Sequence, residues 1–188
     1  MIVLASASPR RRALLEGAGI RLVVRPANTD ESGQPGEAAR AYALRVAIAK
    51  AHAVDCIVDG QDVPILAADT TVAIGARVLG KPGAASVATE MLHSLSGKRH
   101  HVYTAVVVLY RGRVSSKVVA TAVTFRTLTN DEVDRYVATA EPLDRAGAYA
   151  IQGGAGAFVH RIRGSYTGVV GLPLGESLSL LAKVGVVP

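Results

Sequence analysis

The sequence predicts an α/β domain: a mixed sheet with flanking helices, two lobes around a central cleft, formed by residues 1–188 as a single unit. Three observations carry this prediction. Short apolar runs suited to buried strands alternate along the chain with segments whose apolar residues recur at helical spacing. Two β-branched segments, His101 to Tyr110 and Arg113 to Phe125, are separated only by Arg111-Gly112, which predicts a long antiparallel hairpin and makes the sheet mixed. No internal repeat or linker-like stretch divides the 188 residues, of which 49% are hydrophobic and 19% charged, enough apolar surface to exclude a disordered chain.

The elements follow in order. Ile2 to Ala5 reads as a strand running into a helix with Ser8 at the N-cap, Pro9 at the first helical position and Gly17 or Gly19 as the stop. A second strand, Arg21 to Arg25, leads through a polar loop, Asn28 to Pro35, into a long helix from about Glu37 to Val54. Ile65 to Ala68 is a compact apolar run that predicts a buried strand, with Asp69-Thr70-Thr71 at its carboxyl end, where ligands of open α/β sheets bind. Val72 to Ile74 and Val78 to Leu79 flank Gly75-Ala76 as a small hairpin, and Lys81-Pro82-Gly83 breaks the chain before a helix over Ala85 to Leu95. After the long hairpin, Thr129 and Glu132 form a capping box for a helix reaching Thr139. Gly147 to Gly156 reads as a loop, Phe158 to Ile162 as a strand, Gly164 to Gly171 as another loop, and Leu174 to Val184 as a closing helix with Leu174, Leu178 and Leu181 on one face.

Composition narrows the function. The 21 Lys and Arg against 15 Asp and Glu give a net charge of +6, which attracts polyanions. With no Trp, 2 Phe and 6 Tyr there are few platforms for base stacking, so a small anionic ligand is favoured and no stable nucleic-acid complex is expected. The longest apolar stretches, such as Thr104 to Tyr110, fall far short of the roughly 18 to 20 residues of a membrane helix. Apolar Met1 to Ala5 precedes Arg10-Arg11-Arg12, the reverse of a secretory signal, so the cytoplasm is the expected compartment. Cys56 is the only cysteine; it excludes an intramolecular disulfide and reads as a small buried hydrophobe.

Three motifs carry chemistry. Ser8-Pro9-Arg10-Arg11 places fixed positive charge at a helix N-terminus, where free N–H groups already favour a phosphate; arginines there oppose the helix dipole unless an anion compensates. Gly75 to Lys81 matches a phosphate-binding P-loop up to its lysine and then departs, because Pro82 has no hydroxyl for Mg²⁺ and cannot open the required helix. Lys81, held extended beside Pro82, still offers a point charge to a phosphate. The third is a set of acids: Asp69, beside buried apolar residues, needs a partner, and with Asp30 and Glu31 it could hold a hard divalent cation together with phosphate oxygens. The five histidines show no zinc spacing, His100 and His101 point to opposite faces of their strand, and no nucleophile elbow surrounds Ser8 or Ser177.

Leu4-Ala5-Ser6-Ala7-Ser8-Pro9-Arg10-Arg11, Ala68-Asp69-Thr70, Leu79-Gly80-Lys81-Pro82, Ala146 to Gly153 and Val170-Gly171-Leu172-Pro173 together resemble the Maf (septum formation protein) family, across nearly the whole chain and in the family's order. The resemblance implies a nucleoside triphosphate pyrophosphatase with a Maf and inosine triphosphatase-like fold, dependent on a divalent metal such as Mg²⁺ or Mn²⁺ and assembled as a homodimer. Ser-Pro-Arg-Arg, Ala-Asp-Thr and Ile-Gln-Gly resemble the branch acting on dTTP and UTP rather than on 7-methyl-GTP. Carried over by position, the resemblance makes Asp69 the proton acceptor or metal-associated acid, and Arg10, Thr70 and Gln152 the residues that fix substrate choice. Glu31, Lys50 and Lys81 fall on matching positions, so Asp69 and Glu31 would hold the metal or orient water. Arg10 or Arg11, with Lys50 and Lys81, would neutralise the triphosphate seated near Ser8. The Gln152 amide suits the donor and acceptor pattern of uracil or thymine and flips to suit cytosine.

The chain departs from the family at Gly164-Ser165-Tyr166-Thr167-Gly168, where an acidic residue and two tyrosines are usual, and at Gly154, where a basic residue is frequent. A non-catalytic nucleotide or nucleic-acid binding module, and a phosphohydrolase removing the terminal phosphate, are the other readings that the charge pattern admits.

Overall fold

Among the described residues of the computed structural model, 1–56 and 62–188, one seven-stranded sheet organises the chain. Its strands are β1 (Ile2–Leu4), β2 (Leu22–Val24), β3 (Ile65–Ile74), β4 (Arg77–Leu79), β5 (Arg99–Tyr110), β6 (Arg113–Phe125) and β7 (Val159–Arg163). They lie in the order β2-β1-β3-β5-β6-β7, with β4 paired to the far part of β3. β1 runs parallel to β2 and β3, and the remaining pairs are antiparallel, so the sheet is mixed as predicted.

Alternation along the strands divides the core. Val3, Ala5, Ile65, Ala67, Ala105 and Val107 face α2 (Ala39–Asp55), whose Ala43, Ala47, Ala51 and Val54 complete one layer. Ile2, Leu4, Leu66, Ala68, Val106 and Val108 turn the other way, toward α1 (Pro9–Gly17) and α6 (Leu174–Ala182), which contribute Leu15, Leu180 and Leu181. A separate core surrounds Phe125, gathering Leu92 and Leu95 of α3 (Ala85–Leu95) and Val133 and Tyr136 of α4 (Asn130–Ala138) with Val72, Tyr149 and Phe158. These are the two expected lobes, and the long strands β3, β5 and β6 run through both. α4 opens on the predicted capping box: Thr129 Oγ1 accepts from the Glu132 N–H (3.3 Å) and Glu132 returns to the Thr129 N–H (2.9 Å).

Several expectations are corrected. β3 is one ten-residue strand rather than a buried run followed by a separate hairpin arm, so Asp69 and Thr70 lie in mid-strand, not at a strand end; β-branched Thr70, Thr71 and Val72 continue the ladder with β5. The stretch read as a loop at Gly164 to Gly171 contains a short helix, α5 (Tyr166–Val170). The departing residues build it: Ser165 Oγ caps the Gly168 N–H at 2.9 Å, and Thr167 Oγ1 accepts from the Leu174 N–H at 3.0 Å. The glycine-rich stretch forms 3₁₀ turns at Ala146–Ala148 and Gly154–Phe158. Cys56 is exposed, because α2 ends at Asp55 and leaves it beyond the packed face.

Candidate active site

A cleft of about 710 Å³ opens between the lobes beside the middle of β3. Its position follows from strand lengths. The ladder of β1 with β3 ends where the Ala5 N–H meets the Leu66 carbonyl (2.8 Å), and β4 begins pairing only at Val72. Between those points β3 is paired on its β5 side alone among the described residues, and its other edge faces the cleft. Neighbouring residues from opposite faces of the strand, Asp69 and Thr70, therefore both line it.

On the α2 side, Lys50 rises from the helix, 8% exposed, and its Nζ meets Asp69 Oδ1 at 2.8 Å and Glu31 Oε1 at 2.9 Å. Asp69 also accepts from the Thr71 hydroxyl at 3.3 Å. Glu31 arrives on the polar loop, which is fastened to α2: Tyr42 Oη donates to the Glu31 carbonyl (2.7 Å), and Arg45 binds Glu37 (2.7 Å) and the Ser32 carbonyl (2.9 Å). The Tyr42 phenol pKa is raised, first by burial and then by the charges of Asp69 and Glu31. Asp30 does not join this group; its carboxylate accepts from the Ser32 N–H at 2.8 Å and shapes the turn.

On the α1 side, the two arginines have separate roles. Arg11 is spent on the protein, donating to the Gly171 carbonyl (2.8 Å), Ser6 Oγ (3.0 Å) and Thr70 Oγ1 (3.3 Å). Arg10 donates one hydrogen bond among the described residues, from Nε to the Val170 carbonyl at 3.3 Å, and the rest of its guanidinium is available to a ligand. Ser8 lines the cleft and caps α1, its Oγ accepting from the Arg11 N–H at 3.5 Å. Thr70 is tied to Thr104 (3.1 Å) as well as to Arg11, which joins β3, β5 and α1 behind the cleft.

Lys81 and Gln152 enter from the second lobe. The Gly147 N–H donates to the Gly80 carbonyl at 3.1 Å and places the Lys81 loop against the segment that carries Gln152. Neither side chain has an ion pair or hydrogen bond among the described residues. The Gln152 segment is clamped: the Ala150 N–H donates to Tyr136 Oη (3.0 Å) and the Gly154 N–H to Glu141 Oε2 (3.1 Å). A Cβ on Gly153 would lie 1.8 Å from Glu141 Oε1, so a larger residue there must push the Glu141 side chain aside. Buried His100 holds Tyr149 at 2.9 Å through Nε2, and burial pushes the imidazole pKa down to about 4. Burial pushes Tyr136 up to about 12 and raises Tyr149 as well, so both phenols stay neutral.

All nine candidates, Ser8, Arg10, Arg11, Glu31, Lys50, Asp69, Thr70, Lys81 and Gln152, thus border one cleft. Tyr42, Thr71, His100 and Tyr149 were missed. Tyr42 lies on one helical face with Arg45, three residues on, a spacing visible in the sequence; the His100 to Tyr149 contact spans 49 residues and left no local signal. No group of three His, Cys, Asp or Glu residues suited to a metal exists among the described residues. Two carboxylates do converge on one ammonium, and Mg²⁺ is commonly held by one or two carboxylates completed by substrate phosphates and water. Asp69 and Glu31 fit a metal of that substrate-completed kind.

A cleft in which Arg10 and Lys81 have no ion pair among the described residues, beside converging carboxylates, defines an α/β protein suited to a phosphorylated anion. Comparison with known proteins makes this specific: the chain belongs to the family described as Maf-like protein, whose model matches residues 1–184. A relative from Anaeromyxobacter dehalogenans (strain 2CP-1 / ATCC BAA-258) is 53% identical over 188 residues, covering 98% of this chain and 94% of its own length. Relatives from Myxococcus xanthus (52% over 185 residues, 98% and 93% covered) and Chromobacterium violaceum (48% over 187 residues, 98% and 94% covered) are similar to the same extent. All three are named dTTP/UTP pyrophosphatase.

Proposed function

We propose that the protein is a cytoplasmic nucleoside triphosphate pyrophosphatase that hydrolyses dTTP and UTP, and related or modified pyrimidine nucleotides, to the monophosphate and pyrophosphate, as a homodimer with Mg²⁺ or Mn²⁺. The observation that carries this reading is full-length similarity to proteins of that name, together with the meeting of every matching charged position at one cleft. The homodimer rests on family resemblance. The cytoplasmic assignment rests on the activity named for the relatives; no helix among the described residues is long and apolar enough to cross a membrane.

The proposed division of labour joins the family resemblance to the geometry of the cleft. Water attacks the α-phosphorus and passes its proton to a carboxylate oxygen of Asp69, while the bond from the α-phosphorus to the bridging oxygen breaks and pyrophosphate leaves with the electron pair. Lys50 orients Asp69 and Glu31 and draws their charges together. Arg10 and Lys81 stabilise negative charge on the departing pyrophosphate. Gln152, on its clamped segment, pairs with the pyrimidine edge. Asp69 and Glu31 would hold the divalent metal, which supplies neutralisation of phosphate oxygens when bound.

The test is product analysis over the common ribo- and deoxynucleoside triphosphates with Mg²⁺ or Mn²⁺, with direct detection of pyrophosphate. Monophosphate and pyrophosphate from dTTP and UTP are expected. Diphosphate with inorganic phosphate would move the cut to the terminal bond, and binding without turnover would leave a nucleotide-binding protein.

A further inference from the structure

The second lobe brings a cation to the cleft that neither the motifs nor the mechanism above employs. The segment from Ala140 to Ala148 is held in a demanding conformation: Ala140 and Ala148 both have φ of 59°, and Gly147 has φ of 71°. A Cβ on Gly147 would come within 2.8 Å of Val72 Cγ1, so the segment lies tightly on β3. Left-handed alanines persist only where the surroundings fix them, and the backbone here is anchored by Gly147 to Gly80 (3.1 Å) and Gly83 to Leu143 (3.2 Å). What this segment delivers to the cleft wall is Arg145.

The Arg145 side chain is three-quarters withdrawn from solvent, at 25% exposure, yet its charge is poorly matched. Nη1 meets Asp144 Oδ2 at 2.6 Å, but Asp144 is 71% exposed and its charge is screened by water. Arg145 Nε is buried and has no hydrogen-bond partner among the described residues. Arg10 lines the same cleft, and among the described residues only its Nε donates a hydrogen bond. Arg10 has its pKa lowered first by burial and next by the charge of Arg145; the carboxylates of Asp144 and Glu141 act in the opposite sense. Glu141 is itself engaged by the Gly154 N–H. Two guanidinium groups that line one cleft, one with a buried donor that has no partner among the described residues, favour an anion between them.

We propose that Arg145 is a further substrate-binding residue, pairing with Arg10 across the cleft to seat a phosphate group of the nucleotide. The inference rests on the nucleotide reading of the cleft and adds a residue from the second lobe to it. Planar guanidinium groups bind phosphate oxygens in pairs, and an oxygen between Arg10 and Arg145 relieves their repulsion while giving Nε a partner. It also bridges the lobes: the phosphate would be held from α1 on one side and from the Arg145 segment on the other.

The test measures binding without turnover. Inorganic pyrophosphate and UMP are titrated separately, by calorimetry at fixed ionic strength, into the wild type, Arg145→Gln, Arg145→Lys and Asp144→Asn. Arg145→Gln is expected to weaken at least one of the two by about 10-fold or more, Arg145→Lys by less, and Asp144→Asn not at all. A loss confined to pyrophosphate places the seat on the leaving group, and a loss confined to UMP places it on the α-phosphate. The proposal is overturned if Arg145→Gln binds both as the wild type does, or if Asp144→Asn loses as much as Arg145→Gln, which would make the pair structural. It is also overturned if the wild type binds neither. A wild type that hydrolyses no triphosphate while Arg145→Gln still weakens pyrophosphate binding would sink the proposed reaction and leave this site standing.

Discussion

Replacing Lys50 by Met removes the ammonium on which the two carboxylates converge while keeping most of its stem volume. Breaking a buried ion pair by deleting one partner costs about 3–5 kcal/mol, because the remaining charge is left in a poorly solvated place. Asp69 belongs in that class, with a side chain 9% exposed. Glu31, at 46%, is screened by water and adds less than about 1 kcal/mol. Asp69 keeps its hydrogen bond from the Thr71 hydroxyl, which puts the expected loss at the lower end, about 3 kcal/mol. For a chain of this length that corresponds to a fall in Tm of about 6–12 °C. The assay is thermal unfolding of Lys50→Met, Asp69→Asn and the double variant near neutral pH. Neutralising Asp69 removes the stranded charge, so Lys50→Met/Asp69→Asn should regain at least half of the lost stability while remaining without turnover. A Lys50→Met protein within about 2 °C of the wild type, or a double variant in which the two losses simply add, would refute a buried, mutually dependent pair.

Asp69→Asn, with its fold confirmed by circular dichroism, should lower kcat by about 100-fold or more, and a smaller loss would remove Asp69 from proton transfer. His100 gives a pH signature. Its folded pKa, about 4, lies below its ordinary 6.5, so the unfolded chain binds more protons between those values and stability falls as pH drops through that window. Up to about 3 kcal/mol is lost by pH 4 in the wild type. His100→Leu should be less stable at pH 7 but should lack this slope in urea titrations at pH 7 and 4.5, and an unchanged slope would assign it to other groups. Gly153→Ala must displace Glu141 from the Gly154 N–H, so KM for dTTP should rise several-fold with kcat little altered; equal losses on every triphosphate tested would separate this segment from base selection.

The lobes, the mixed sheet and most helices were legible because each rests on local pattern: short apolar runs in β1 and β3, the β-branched hairpin of β5 and β6, and the Thr129 to Glu132 box of α4. The site residues were legible for a different reason, as the blocks that resemble the Maf family. What stayed hidden was set by tertiary contact. Asp69 was expected at a strand end, since Asp-Thr-Thr reads as the polar close of an apolar run. Pairing with β5 carries the strand five residues past Asp69 to Ile74. α5 escaped notice because glycine and threonine are weak helix formers, and part of what holds it is remote or lies beyond its end: the Ser165 N–H donates to Thr121 Oγ1 and the Leu174 N–H to Thr167 Oγ1. The separate roles of Arg10 and Arg11 depend on which carbonyls of the Val170-Gly171 turn lie within reach, a fact about residues 160 positions away.

The unpaired stretch of β3 explains why one short motif serves two tasks. Side chains of consecutive strand residues point to opposite faces, so Asp69 and Thr71 belong to the α2 layer while Thr70 belongs to the α1 layer. In a strand paired on both sides those faces would be sealed from one another by its neighbours. Here β1 ends before Asp69 and β4 starts after Thr71, so the cleft reaches around the bare edge to both. The acidic chemistry with Lys50 and Glu31 is thereby assembled on one face, and the framework of Arg11, Thr104 and Gly171 on the other, within a single peptide step. Continuing β1 alongside β3 as far as Asp69 would close this edge; instead the chain leaves the sheet at Ala5 and turns through Ser6 and Ala7 into the Ser8 cap. The strand's abrupt end and the arginines that follow it are therefore one device: the turn that uncovers Asp69 also sets Arg10 at the mouth of the cleft.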